Sequence, residues 1–117
     1  MYQFRKSIKG DNKMTPEQAL DKSIMLYCGE RNWLCFHINV GGGILKSGGY
    51  FHTGVPMGWP DLTILTDNGE VIFCETKIKP RKPTQAQLDF IDNLKQRGFK
   101  AFVAYTLEEF IENARCN

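Results

Sequence analysis

Asp61, Glu75 and Lys77 are the residues of this chain whose types and spacing could do chemistry. They lie near the two ends of GWPDLTILTDNGEVIFCETKIK, residues 58 to 79, where two apolar runs, LTIL and VIFC, flank a glycine-containing turn. Read as a hairpin, the stretch brings an acid from the start of one strand beside an acid and a lysine from the end of the next. Glu75 and Lys77 are two residues apart and so project from one face. The direction of Asp61 depends on the turn. A two-residue Asn68-Gly69 turn sets Asp61 opposite Thr76, facing away from Glu75. A three-residue Asp67-Asn68-Gly69 loop with Gly69 left-handed sets Asp61 opposite Glu75. Both turns suit the residues; the three-residue loop is the one predicted, because it puts two carboxylates and one ammonium on a common patch.

Two carboxylates with Cβ atoms about 5 Å apart repel each other unless a cation lies between them. A hard divalent ion, Mg²⁺ or Mn²⁺, is held by a few carboxylates with waters and phosphate oxygens, and its bound water becomes a competent nucleophile nearer neutral pH. Lys77 would lie beside that water and the phosphate under attack, placed to orient the one and stabilise charge on the other. Each part also has an ordinary reading. An acid-x-lysine pair is common on a solvated strand edge, and Pro-Asp is a common turn dipeptide. Their meeting at one end of one hairpin is the uncommon feature.

The elements that must position these residues are legible along the chain. Thr15-Pro16-Glu17-Gln18 is a capped helix start with proline at the first position, predicting a helix to about Cys28 with Leu20, Ile24 and Tyr27 inward. WLCFHINV alternates as a strand, with Leu34, Phe36, Ile38 and Val40 on a fully apolar face and Trp33, Cys35, His37 and Asn39 on a partly polar one. Residues 41 to 60 are too rich in glycine for a stable element and read as a long loop, part of it able to move. After the hairpin and the basic connection KIKPRKP comes a helix from Thr84 to about Arg97, stopped by Gly98. Leu88, Ile91 and Leu94 define its buried face; Gln87 shares that face and Gln85 points outward. FKAFVAY is the last strand, and Thr106 to Glu109 forms a second capping box opening a short helix. The strand of Glu75, the helix after it and the last strand form a β-α-β unit, which makes those two strands parallel. The fold class is therefore α/β, a mixed β-sheet flanked by helices.

At 117 residues the chain suits one domain, 1 to 117, with a core at about 15 to 113 and an N-terminal extension over 1 to 14. A net charge of +2 and a pI near 8.4 are too mild to declare a nucleic-acid binder by themselves. Position matters more: Lys79, Arg81 and Lys82 follow the acids directly, where they could neutralise a phosphate backbone. Lys46 and His52 in the glycine-rich segment, and His37 on the polar strand face, are further candidate contacts. Cys28, Cys35, Cys74 and Cys116 show no C-x-x-C spacing and suit reduced, mostly buried thiols. With no signal-like segment and no long apolar run, the expectation is a soluble, cytoplasmic protein.

Pro60-Asp61 followed by Glu75-Thr76-Lys77 in this element order resembles the PD-(D/E)XK nuclease superfamily, and in detail its virus-type replication-repair (VRR-NUC) branch. The likeness spans residues 15 to about 110. In that branch a helical glutamate, an Asn followed by glycine, a G-x-P-D segment, an E-x-K and a T-x-x-Q recur. This chain offers Glu17, Asn39-Val40-Gly41, Gly58 to Asp61, Glu75 to Lys77 and Thr84 to Gln87. The resemblance implies a restriction-endonuclease-like αβββαβ core and a Mg²⁺- or Mn²⁺-dependent DNA endonuclease. Asp61, Glu75 and the Thr76 carbonyl would ligate the ion, with Glu17 completing the site directly or through water. Lys77 would assist attack, Gln87 would hold the Glu75 region or a water, and Asn39 would face DNA; His37, on the polar face of the same strand, could approach DNA or the metal cluster. It also implies a free-standing, phage-like form acting as a homodimer on branched or four-way junction DNA in repair. Two other classes fit the residues: a catalytically idle DNA-binding module of the same fold, and an interaction domain whose hairpin acids are a surface pair.

Overall fold

The structure is a computed structural model and describes residues 13–38, 42–52 and 54–115. Helix α1, Pro16–Glu30, begins at the expected capping box. Gln18 N–H donates to Thr15 Oγ1 at 3.1 Å, and Thr15 N–H donates to Gln18 Oε1 at 2.9 Å. Two helix-start donors are thereby satisfied. The helix runs through Gly29 and stops at Arg31, after which Asn32, at φ 61°, reverses the chain. Asparagine tolerates that left-handed conformation, so the glycine was not needed as the stop.

Strand β1, Leu34–His37, pairs antiparallel with β4, Leu62–Leu65; β4 pairs antiparallel with β5, Val71–Thr76; and β5 pairs parallel with β6, Lys100–Ala104. The order β1-β4-β5-β6 forms a mixed sheet. Helix α2, Gln85–Gln96, makes the crossover between β5 and β6, and α3, Leu107–Arg115, closes the described chain. Leu20, Ile24, Cys28, Leu62, Ile64, Ile72, Cys74 and Phe110 form the core between the sheet, α1 and α3. Phe73, Ile91, Leu94 and Ala101 form a smaller one beneath α2, with Trp59 and Phe90 packed against it. Each fully buried side chain of this size contributes about 1.5–3 kcal/mol of transfer free energy. Leu88 is not part of it. Gln87, Ile91 and Leu94 make the contact row of α2, and Leu88, one residue further round the helix, is exposed.

The turn between β4 and β5 is the three-residue loop. Thr66 N–H donates to Glu70 O at 2.9 Å, Gly69 N–H donates to Thr66 O at 3.2 Å, and Gly69 has φ 90°. Leu62 is therefore opposite Cys74, and one further step sets Asp61 opposite Glu75.

One further expectation is corrected. The glycine-rich segment does contain an element: β2, Gly42–Ile44, pairs antiparallel with β3, Tyr50–His52, in a separate two-stranded sheet. Gly48, at φ 95°, supplies its turn, so glycine here serves the reversal even as it weakens the strands. In β1 it is the partly polar face that turns to the core. Trp33 and Cys35 pack toward the α1 core, while Leu34 and Phe36 are 64% and 39% exposed. Alternation assumes that polar residues face water. In β1 the polar residue on the Trp33–Cys35 face, His37, is half-exposed and lies beside the buried Asp21 of α1, and the apolar face is the open one.

Cys28 and Cys74 are buried free thiols and Cys35 is half-buried; Cys116 lies outside the described residues. Among the described residues no helix is long and apolar enough to cross a membrane.

Candidate active site

The segment Gly58 to Asp61 is fixed by packing before it does any chemistry. Gly58 has φ 91°, and a Cβ there would lie 2.6 Å from the Ala86 carbonyl oxygen, so only glycine lets the chain pass this close to the first turn of α2. Trp59 sits edge-on to Phe73 and Phe90, with ring centroids at 5.4 and 5.2 Å. Pro60 is fully buried. These contacts aim Asp61 at the end of β5.

Glu75 is the centre of the arrangement. It is 1% exposed, and its neighbours on the same sheet face are Asp61 and Lys77. Lys77 Nζ lies 3.7 Å from Glu75 Oε2, and Gln87 Nε2 donates to that same oxygen at 2.9 Å. Glu75 Oε1 is buried, and among the described residues no donor reaches it; the Asp61 carboxylate is the acid beside it. Burial, then the Asp61 carboxylate beside it, pushes the Glu75 carboxyl up to about 8; Lys77 acts the other way and is outweighed. Burial together with a specific charged neighbour is the surrounding that makes Glu75 a candidate site residue.

Gln87 is held from both ends. Its Oε1 accepts the Thr84 N–H at 2.8 Å, completing the capping box of α2, while its Nε2 reaches Glu75. Gln85 points away, donating to Asp89 at 2.8 Å.

On the other side of β5, Thr76 N–H donates to Asp61 Oδ2 at 3.2 Å. The Thr76 hydroxyl lies 3.1 Å from that oxygen and 2.6 Å from Asp21 Oδ1. Asp21 Oδ2 is 3.4 Å from His37 Nε2. Burial raises the Asp21 carboxyl above the ordinary carboxylate range, against the Thr76 bond and the nearby His37, which lower it. The sequence reading passed over Asp21. Its signal was available: it follows Glu17 by four residues and sits between Leu20 and Ile24, an acid on the buried face of α1.

Asp61, Glu75, Lys77, Thr76 and Gln87 are thus brought together. Glu17 is not joined to them by any bond among the described residues; it is half-buried one turn before Asp21, which feels its charge. Lys79, Arg81 and Lys82 are exposed just beyond β5, with Lys79 Nζ 5.6 Å from the Tyr105 ring centroid. His37 is half-exposed and engaged with Asp21. Lys46 and His52 belong to the β2–β3 hairpin, where His52 meets the Tyr50 ring at 4.8 Å. Asn39 lies outside the described residues. Among the described residues no three His, Cys, Asp or Glu side chains form a ready ion cage.

A mixed sheet that carries its acids on adjacent strand ends, flanked by helices on both faces, defines a restriction-endonuclease-like α/β fold. The chain is similar to a solved structure described as a VRR_NUC domain, with 22% identity and a TM-score of 0.64, over 85% of this chain and 97% of that one. At that identity the likeness establishes the fold. No protein-family model matches the chain, and no curated protein matches it in sequence.

Proposed function

We propose that this protein is a divalent-metal-dependent DNA endonuclease of the VRR-NUC type, hydrolysing phosphodiester bonds with selectivity for branched or junction DNA. The observation that carries the reading is Glu75, a buried acid beside a second carboxylate, whose Oε1 no donor among the described residues reaches. A buried, unpaired oxygen costs free energy that an ion would recover. Two carboxylates alone are few ligands, which suits Mg²⁺ or Mn²⁺, ions that keep several waters and take phosphate oxygens from the substrate.

Asp61 and Glu75 would hold the ion with the Thr76 carbonyl, and Glu17 would reach it through water. When bound, the ion supplies positive charge that polarises the scissile phosphate and favours ionisation of water. The protein's own groups do the rest. Gln87 engages Glu75 Oε2 and so leaves Oε1 as the free ligand atom. Lys77, held beside Glu75, orients the attacking water and stabilises the charge that builds on the phosphate oxygens. Lys79, Arg81 and Lys82 neutralise the neighbouring backbone and position it without reading bases. A homodimer would set two such sites on opposite strands of a symmetric junction.

The test is cleavage of linear duplex, single strand, flap and four-way junction with Mn²⁺, Mg²⁺ or EDTA, by the native protein and Glu75→Ala. Metal-dependent cutting that vanishes in the variant, with branched substrates preferred, is expected. Junction binding in EDTA with no cutting under any condition would instead identify an idle DNA-binding module.

A further inference from the structure

Two acids other than Glu75 approach Thr76, and their surroundings differ. Asp61 accepts from the Thr76 backbone and faces Glu75 across the hairpin. Asp21 comes from a different element, α1, and each of its oxygens is already engaged: Oδ1 with the Thr76 hydroxyl at 2.6 Å and Oδ2 with His37 at 3.4 Å. A carboxylate with both oxygens occupied and 8% exposure is poorly placed to be an ion ligand and well placed to be an anchor. Glu75, whose Oε1 no donor among the described residues reaches, has the opposite character.

The hydroxyl of Thr76 has one proton for two carboxylates. The shorter contact gives it to Asp21, which fixes the threonine side chain. Thr76 is fully buried and its backbone is locked on both sides: its N–H holds Asp61 Oδ2, and it pairs with Ala104 of β6. Pinning its side chain to α1 therefore sets the angle at which the end of β5 presents its N–H to Asp61.

We propose that Asp21 is a positioning residue for the Asp61–Glu75 site, acting through the Thr76 hydroxyl. The inference rests on the metal-dependent reading above, and concerns a residue that would touch neither ion nor DNA. Groups that hold a ligand side chain in place typically carry about 10- to 100-fold in metal affinity or activity, and members of one chain of contacts do not add independently.

The experiment measures Mn²⁺ binding to the DNA-free full-length chain by electron paramagnetic resonance, with circular dichroism confirming that each variant is folded. Asp21→Ala and Thr76→Val should each weaken Mn²⁺ binding by about 10- to 100-fold. The double variant should be no worse than the poorer single one. Asp21→Asn keeps an acceptor for the hydroxyl and Thr76→Ser keeps the hydroxyl; each should recover most of what its partner substitution loses. Where Asp21→Ala does not fold, the Thr76 pair and Asp21→Asn still decide. Native-like binding by Thr76→Val overturns the inference, as does an Asp21→Asn loss as large as that of Asp61→Asn, which would make Asp21 a ligand through its charge. A native protein that binds no Mn²⁺ overturns the metal-dependent reading and this inference together, a result distinct from either of those.

Discussion

Replacing Glu75 by glutamine should make the ion-free protein more stable in alkaline solution, and the sign follows from where the proton resides. The carboxyl, pushed up to about 8 by burial and Asp61, keeps its proton in the native state well above its ordinary value of 4.5. Between those limits the unfolded chain has already released it. The native state then binds more protons than the unfolded one, so stability is full below about 4.5 and falls as pH rises through about 8. Each pH unit costs a little over 1 kcal/mol, and the whole interval on the order of 5 kcal/mol as a ceiling, since water penetration beside the carboxyl lowers it. That is a large share of the roughly 5–15 kcal/mol that holds a domain together. Glutamine keeps the shape and cannot ionise. Urea unfolding followed by circular dichroism in EDTA, from pH 5 to pH 9, should show the native midpoint declining across this window and the Glu75→Gln midpoint nearly level through it. Added Mn²⁺ at the alkaline end should restore the native protein and leave the variant unchanged. Parallel slopes for the two proteins would refute the reasoning, since the proton would then reside elsewhere.

Gly58→Ala should destabilise the fold by more than Gly98→Ala. Both glycines have positive φ, but only a Cβ at Gly58 meets backbone, the Ala86 carbonyl oxygen at 2.6 Å; comparing the two urea midpoints isolates the close approach from the roughly 1 kcal/mol conformational cost they share. Replacing Lys79, Arg81 and Lys82 together by alanine should weaken duplex binding in EDTA without changing its sequence preference. The slope of log K against log salt should become shallower by about 0.9 for each phosphate contact removed. An unchanged slope would move the DNA path away from this connection.

Helix caps and hydrophobic rows made α1, α2 and α3 readable, because Thr15, Thr84 and Thr106 announce helix starts locally; the expected box at Thr106 forms only in half, the Glu109 side chain accepting from Tyr105 N–H at 2.8 Å instead of from Thr106. The Asp61–Glu75 register depended on a single loop residue, and Gly69 adopts the conformation that places the acids together. The side chain of Gln87 was found by its row, shared with Ile91 and Leu94, since an amide there must meet something polar. Other features were hidden for equally local reasons. The faces of β1 could not be assigned from alternation, because what decides them is the packing of Trp33 and Cys35 against the core beside α1, contacts made to another element. Asp21 was obscured by Glu17, an acid one turn earlier that the family resemblance favoured. The β2–β3 hairpin was hidden by its own glycines, which mark reversals and discourage strands in the same few residues.

The double engagement of Gln87 narrows what this position can hold over evolutionary time. Glutamine and glutamate complete a capping box equally well, so helix α2 alone would accept either. Glutamate at 87 would keep the bond from Thr84 but would set a second, non-donating oxygen against Glu75 Oε2, where the amide now donates at 2.9 Å. Two independent demands, an acceptor for the helix and a donor for the acid, meet in one carboxamide. A glutamate at 87 would therefore leave helix α2 capped and the fold outwardly unchanged while removing the amide donor that Glu75 Oε2 now receives.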